Sequence, residues 1–180
     1  MKKFIYKLIF IKIWGWKIIG QPPPELKKYL FVVAPHTSNW DFPVGIFSRG
    51  IIGFKTGFLA KASIFKPPYG WLFRWLGGYP VDRSKSTKLV DQVAELYAKH
   101  DRFVITIAPE GTRKKVKKWK TGFYFIALKA QVPLLPAVFD WGKKEVRFEP
   151  PFYTTGDLEL DLPKIKAIFK GATGKHGETA

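Results

Sequence analysis

The segment Phe103-Val104-Ile105-Thr106-Ile107-Ala108 carries no charge over six residues and is β-branched at four of them, so it reads as a strand buried on both faces. It runs directly into the polar turn Pro109-Glu110-Gly111-Thr112-Arg113. Two other apolar runs end the same way. Phe31-Val32-Val33-Ala34-Pro35, in a strand expected over 27–35, leads into His36-Thr37-Ser38-Asn39-Trp40-Asp41, and Tyr79-Pro80-Val81 leads into Asp82-Arg83-Ser84. Between Val81 and Phe103, Leu89, Val90, Val93, Leu96 and Tyr97 have helical spacing within 86–100. Strands that alternate with helices fold as a parallel sheet with crossover connections, which gathers the carboxyl ends of the strands along one edge, where ligands bind. The expected fold class is therefore α/β: a single domain with a central, mostly parallel sheet flanked by helices.

The remaining segments fit that plan. Gly57-Phe58-Leu59-Ala60-Lys61 and Leu134 to Asp140 read as strands, and 145–149 reads as an edge strand. Helices are expected from Trp40 to about residue 50, over 122–130 and from Pro163 to Lys170, with a polar, frayed tail at 171–180. The aromatic stretch Ile64 to Leu76 suits either a core helix or an apolar groove or membrane-contacting surface.

Residues 4–19 project as a helix about 24 Å long, short of the roughly 30 Å hydrocarbon core of a bilayer. Lys7, Lys12 and Lys17 interrupt it. Lys2, Lys3, Lys7 and Lys17 share one broad side, and the opposite side is apolar apart from Lys12, as in an amphipathic helix lying in a membrane interface. A helix packed on the protein's own core would show the same pattern. A secretory signal fits poorly, because the apolar stretch is interrupted by charge and Gly20-Gln21-Pro22-Pro23-Pro24 lacks a small-residue cleavage site. The prolines are expected to form a stiff linker, dividing the chain into 1–24 and a sheet domain over 25–180.

His36 and Asp41 would lie about 140° apart on one regular helix, so the pair belongs on a turn. With Ser38 or Asn39 capping the next helix, Asp41 falls in its first turn, where the dipole favours a carboxylate. There it can accept Nδ1–H from His36 and leave Nε2 as a base for a substrate hydroxyl. No Cys and no G-x-S-x-G turn supplies a nucleophile on the protein, so the attacking hydroxyl is the substrate's own. Taken alone, the pair describes a turn histidine and a capping aspartate equally well. Neither His100 nor His176 stands in such a strand-to-helix turn.

The motifs at His36–Asp41, Gly78–Arg83, Pro109–Arg113 and Val132-Pro133-Leu134-Leu135-Pro136 follow one another in a telling order. Here the chain resembles a glycerolipid acyltransferase of the lysophosphatidic-acid acyltransferase type, over about residues 30–140. It departs from that pattern at Pro35, where a polar residue is usual, and in its shorter length. The resemblance implies a glycerol-3-phosphate acyltransferase-like fold and transfer of a fatty acyl group from acyl-CoA or acyl carrier protein to a lysophospholipid such as 1-acylglycerol-3-phosphate. It implies His36 and Asp41 as the catalytic dyad. Glu110, Gly111, Thr112 and Arg113 would bind the glycerol-phosphate portion, with Arg83 as a second cation. A guanidinium forks onto phosphate, Gly111 lets backbone N–H groups approach it, and Thr112 adds a hydroxyl. Glu110 cannot attract phosphate and is expected to fix Arg83 or Arg113, to bond an acceptor hydroxyl, or to form a structural salt bridge. The oxyanion falls either to N–H groups at the start of the Trp40 helix or to those near Val132-Pro133-Leu134.

The formal charge of +17 calls for an anionic partner: nucleic acid, anionic membrane or an acidic substrate. Seven Trp and sixteen Phe among the lysines favour an anionic membrane surface, and no helix-turn-helix, zinc-finger or RNA-binding signature supports nucleic acid. The basic run 114–120 suits a solvated loop or an entry for a polyanionic donor. Zero cysteines and three scattered histidines give no metal-ligand spacing, and no cofactor is expected. The expected localisation is peripheral or monotopic at the cytoplasmic face of a membrane. Two rival readings are a basic non-enzymatic module and a lipid ester hydrolase that uses the same dyad on water.

Overall fold

The structure is a computed structural model and describes residues 2–82, 86–113, 116 and 118–178. Its central strand is β2 (Lys28–Ala34), in which every residue after Lys28 is buried. Alternate side chains serve opposite faces. Leu30, Val32 and Ala34 join a cluster with Val93, Tyr97, Phe123, Ile126, Ile165 and Phe169, while Tyr29, Phe31 and Val33 join another with Phe10, Trp16, Val44 and Ile51. The first cluster is covered by α4 (Ser86–Lys99), α5 (Gly122–Ala130) and α6 (Leu158–Phe169), the second by α1 (Lys2–Lys7) with its continuation and by α2 (Asp41–Ile52). A strand dry on both faces explains the unbroken apolar run.

The sheet has seven strands in the order β1-β7-β6-β2-β5-β3-β4. Here β1 is Lys17–Ile19, β3 Gly57–Lys61, β4 Gly78–Val81, β5 Phe103–Ile107, β6 Leu134–Asp140 and β7 Glu145–Phe148. Strands β6, β2, β5, β3 and β4 are mutually parallel, β1 pairs in parallel with β7, and β7 pairs antiparallel with β6. The registers Phe31↔Thr106 and Ala34↔Val138 bring the ends of β2, β5 and β6 level with one another. The turns after these strands therefore share one edge. This is the α/β architecture expected from the strand-helix alternation.

Five local expectations need correction. The first helix does not reach residue 19: α1 continues as a wider turn, Leu8–Ile13, closed by Trp14 N–H to Ile9 C=O at 2.9 Å. Gly15, at φ +72°, then turns the chain so that β1 pairs in parallel with β7. Strand β7 is accordingly not at the edge. Helix α6 starts at Leu158, ahead of Pro163, because Asp157 accepts the N–H groups of Glu159 and Leu160. The aromatic stretch is no core helix, for Trp71 and Trp75 of α3 (Gly70–Trp75) are 69% and 76% exposed. Nor is the tail frayed through 178: Trp141 N–H donates to Thr173 C=O at 2.8 Å and Lys175 N–H to Thr37 Oγ1 at 3.1 Å.

The N-terminal segment is part of the core as well as a surface. Phe10 is fully buried, stacked between Trp16 and Phe47, and Tyr6 lies over Gly50 of α2, where a Cβ would come within 2.4 Å of its ring. Phe10→Ala should therefore cost about 3–5 kcal/mol, the range for truncating a buried Phe. Denaturant unfolding checks it; a loss below about 1 kcal/mol would mean that the segment contributes little to the fold.

Candidate active site

His36 leaves the carboxyl end of β2 and Asp41 opens α2, as the turn geometry requires. The His36 Nδ1 lies 3.0 Å from Asp41 Oδ2. The imidazole is 27% exposed and the carboxylate 1%, so one group faces the solvent side of the edge and the other is enclosed. Asp41 Oδ2 also accepts Ser38 N–H at 2.9 Å, and Oδ1 accepts the indole N–H of Trp141 at 2.7 Å. Ser38 does not cap α2 in the expected manner; its hydroxyl accepts Trp40 N–H at 3.2 Å and stiffens the turn.

Strand β5 delivers Glu110 beside this turn. Its Oε1 accepts the backbone N–H of His36 at 2.9 Å, which ties the third motif to the first across adjacent parallel strands. The carboxyl group is buried, and among the described residues Oε2 has no hydrogen-bond partner. Desolvation pushes its pKa above the usual glutamate value; the bonds from its own backbone and from His36 pull the other way, and Asp41 adds repulsion. Gly111 has φ +64°, a conformation a side chain strains to adopt, and Lys120 lies against it, with Nζ 3.1 Å from where a Cβ would stand. Thr112 and Arg113 are exposed on the same turn. Arg83, expected as a second cation, lies outside the described residues, as do Lys114, Lys115 and Lys117 of the basic run.

The sheet register removes one candidate for the oxyanion. Leu134 pairs with Leu30 at the amino end of β2, roughly 13 Å of strand from the edge that carries His36. The N–H of Val132 is already donated to Ala127 C=O and that of Leu134 to Phe152 C=O, while Pro133 has none. The fourth motif therefore shapes the core. At the start of α2 the N–H groups of Ser38, Trp40, Asp41 and Phe42 are likewise donated, to Asp41 Oδ2, Ser38 Oγ, Ser38 C=O and Asn39 C=O.

Trp141 is the residue that the sequence reading missed. It follows β6 directly, so the rule that located His36 and Glu110 also covers it. Its ring meets Trp16 edge-on at 4.9 Å, while Lys175 Nζ sits 5.2 Å from the Trp141 ring and 4.4 Å from that of Trp40. An imidazole oriented through Nδ1 by a fixed carboxylate, with a buried second carboxyl group at its backbone, is an arrangement for moving a proton at Nε2.

The sequence and the fold are similar to those of known proteins. The acyltransferase family model matches residues 18–140, more than half of the chain, and the chain belongs to that family. Among its relatives is the 1-acyl-sn-glycerol-3-phosphate acyltransferase of Escherichia coli (strain K12), 29% identical over 132 residues, which are 69% of this chain and 53% of that protein. The protein of the same name from Haemophilus influenzae is 25% identical over 134 residues, 70% of this chain and 55% of the relative. The chain thus spans about half the length of these relatives. The crystal structure of the 1-acyl-sn-glycerophosphate (LPA) acyltransferase PlsC from Thermotoga maritima shares the fold, with a TM-score of 0.61 at 21% identity over 93% of this chain and 78% of that one.

The raised pKa of Glu110 has a measurable consequence. A carboxyl group that holds its proton more tightly when folded makes the folded state the better proton binder, so stability falls as pH rises through and above the ordinary glutamate value of about 4.3. Glu110→Gln keeps an oxygen for the His36 N–H and never ionises. It should melt higher than the wild type at pH 7, with the gap closing towards pH 4 in calorimetry. A gap of the same size at both pH values would show that ionisation of Glu110 is not the cause.

Proposed function

We propose that the protein transfers a fatty acyl group from an acyl thioester to the free hydroxyl of a lysophospholipid of the 1-acylglycerol-3-phosphate type, with His36 as general base, in phospholipid biosynthesis. The observation that carries this reading is the 3.0 Å contact of His36 Nδ1 with the enclosed Asp41, in a chain of the acyltransferase family. Two relatives' names, which specify 1-acyl-sn-glycerol-3-phosphate acyltransferase, support the choice of acceptor.

In this mechanism Nε2 takes the acceptor's hydroxyl proton as its oxygen bonds to the thioester carbonyl carbon. The tetrahedral intermediate collapses with cleavage of the C–S bond. The leaving sulfur receives the proton from the imidazolium, so an ester and a thiol form and His36 is regenerated. General-base assistance of this kind contributes roughly 10²- to 10⁴-fold. Arg113, with Gly111 and Thr112 on the same turn, would hold the acceptor phosphate, with Lys120 beside them and Arg83 as the second cation. The buried, unpartnered Oε2 of Glu110 suits an acceptor hydroxyl. The acidic donor, acyl-CoA or acyl carrier protein, suits a chain of net charge +17.

The test is to incubate enzyme with acyl-CoA or acyl carrier protein and a panel of lysophospholipids and to identify products by mass spectrometry. Wild type should form phosphatidic acid from lysophosphatidic acid and acyl donor, and His36→Ala, folded, should retain less than about a hundredth of the turnover. Free fatty acid in place of a new ester would instead identify a hydrolase, and an active His36→Ala would remove the base.

The site would work at a membrane surface, as a peripheral or monotopic protein on the cytoplasmic face. Among the described residues no helix is long and apolar enough to cross a bilayer. Two surfaces are suited to contact. Phe4, Ile5, Leu8 and Ile11 are exposed on the N-terminal helix while its other side packs on α2, and Tyr69, Trp71 and Trp75 are exposed around α3 with Lys61 and Lys66 nearby. Replacing Phe4, Ile5, Leu8 and Ile11 with Ser should reduce sedimentation with anionic vesicles at least tenfold without changing the unfolding midpoint by more than a few degrees, and wild-type binding should partly survive high salt. Unchanged binding in that variant would clear the helix of a membrane role.

A further inference from the structure

The family match ends at residue 140, yet the next residue donates to the dyad's carboxylate. Trp141 fills a position with several restraints. Its indole N–H reaches Asp41 Oδ1 at 2.7 Å, its backbone N–H is held by Thr173 C=O at 2.8 Å, and its ring rests against Trp16. The same C-terminal segment holds the turn on its other side. Thr173 N–H bonds Asp140 Oδ1 at 3.3 Å, Lys175 N–H bonds Thr37 Oγ1 at 3.1 Å, and the Lys175 ammonium lies over both Trp40 and Trp141. Gly174 is buried against Thr37, with no room for a side chain: a Cβ would stand 2.5 Å from Thr37 Oγ1 and 2.8 Å from its methyl group.

We propose that Trp141 is a positioning residue for the His36–Asp41 pair, and that residues 173–175 form a strap that locks Trp141 and the His36 turn together. This rests on the reading of His36 and Asp41 as the catalytic pair. Asp41 Oδ2 is already shared between His36 and Ser38 N–H, so the direction of the carboxylate is set by what binds Oδ1. With the indole in place the carboxylate cannot rotate away from Nδ1, and the imidazole presents Nε2 along one line. Without it, Oδ1 is an enclosed acceptor with no donor, and the carboxylate can swing to find one. A displacement of about 1 Å at a reacting group can cost about a hundredfold in rate.

The test compares full-length wild type, Trp141→Phe, Gly174→Val and His36→Ala by steady-state kinetics with lysophosphatidic acid and acyl-CoA, with melting temperature as the fold control. Trp141→Phe keeps an aromatic ring against Trp16 and removes only the donor. Its kcat should fall about ten- to a hundredfold, the range set by losing one hydrogen bond to a charged group, with both KM values within about twofold of wild type. Gly174→Val, whose side chain cannot fit against Thr37, should lower kcat at least about fivefold with the same unchanged KM values. It keeps the test open if Trp141→Phe fails to fold. A Trp141→Phe enzyme with more than half of wild-type kcat, or one whose loss lies in KM, overturns the proposal, as does a folded Gly174→Val enzyme with wild-type kcat. If His36→Ala is itself active, the catalytic pair has been misread; if His36→Ala is inactive and Trp141→Phe is not impaired, only the positioning role falls.

Discussion

A carboxylate removed from water must find donors for its oxygens or give up its charge, and the burial of Asp41 imposes that demand on this structure. The donors arrive from different depths of the sequence. His36 and Ser38 are local, brought round by the turn between β2 and α2, whereas Trp141 comes from a hundred positions away at the end of β6. Only a register that makes β6 and β2 direct parallel neighbours can deliver that indole. The register is in turn fixed by the two apolar faces of β2, since a slip of one residue would exchange Leu30, Val32 and Ala34 for Tyr29, Phe31 and Val33 between the two cores.

Much of this was legible in the chain. The bounds of β6 and α5 could be read directly, because β6, buried at every residue, is a nearly continuous apolar run and α5 has a clear start and stop; β3, only partly buried, was bounded by Gly57 and Lys61. His36, Asp41 and Glu110 could be picked out as residues standing immediately after such runs. What escaped depended on side chains meeting across the fold. Nothing near Glu110 in sequence says that its carboxylate will accept the His36 N–H, and nothing near Thr173 says that its carbonyl will receive Trp141. The N-terminal helix is shorter than its apolar stretch for another reason: Gly15, which looks in sequence like one more position of that stretch, has a positive φ that turns the chain from helix to strand. The polar tail looked frayed because its partners, Thr37, Asp140 and Trp141, are all far away in sequence.

The first nineteen residues show why an apolar surface helix need not choose between packing and membrane contact. Period 3.6 gives a helix more than one face, and here Tyr6 and Phe10 face α2 while Phe4, Ile5, Leu8 and Ile11 face outward. The inward face does more than stabilise. Trp14 meets the Trp40 ring at 6.2 Å and Trp16 supports Trp141, so the aromatic rings of this segment buttress both tryptophans that flank the dyad. Removing the whole segment would therefore disturb the core, the proposed membrane surface and the proposed active site together, and only substitutions confined to the outward face separate the three.

Two carboxyl groups address one histidine here, and their surroundings divide the work between them. Asp41 receives N–H donors at both oxygens and lies beside Nδ1, so in the proposed mechanism it would orient the imidazole and stabilise the cation that forms when Nε2 takes a proton. Glu110 is bonded by backbone N–H groups, its own and that of His36, and its second oxygen is enclosed with no partner among the described residues. Burial raises its pKa, and the neighbouring Asp41 charge pushes in the same direction. In the proposed mechanism, a Glu110 that ionises reluctantly would leave Asp41 as the principal counter-charge and its own Oε2 available for a hydroxyl-bearing ligand. The alternation of strand and polar turn along the chain thus brings Asp41, at the start of α2, and Glu110, after β5, to one histidine.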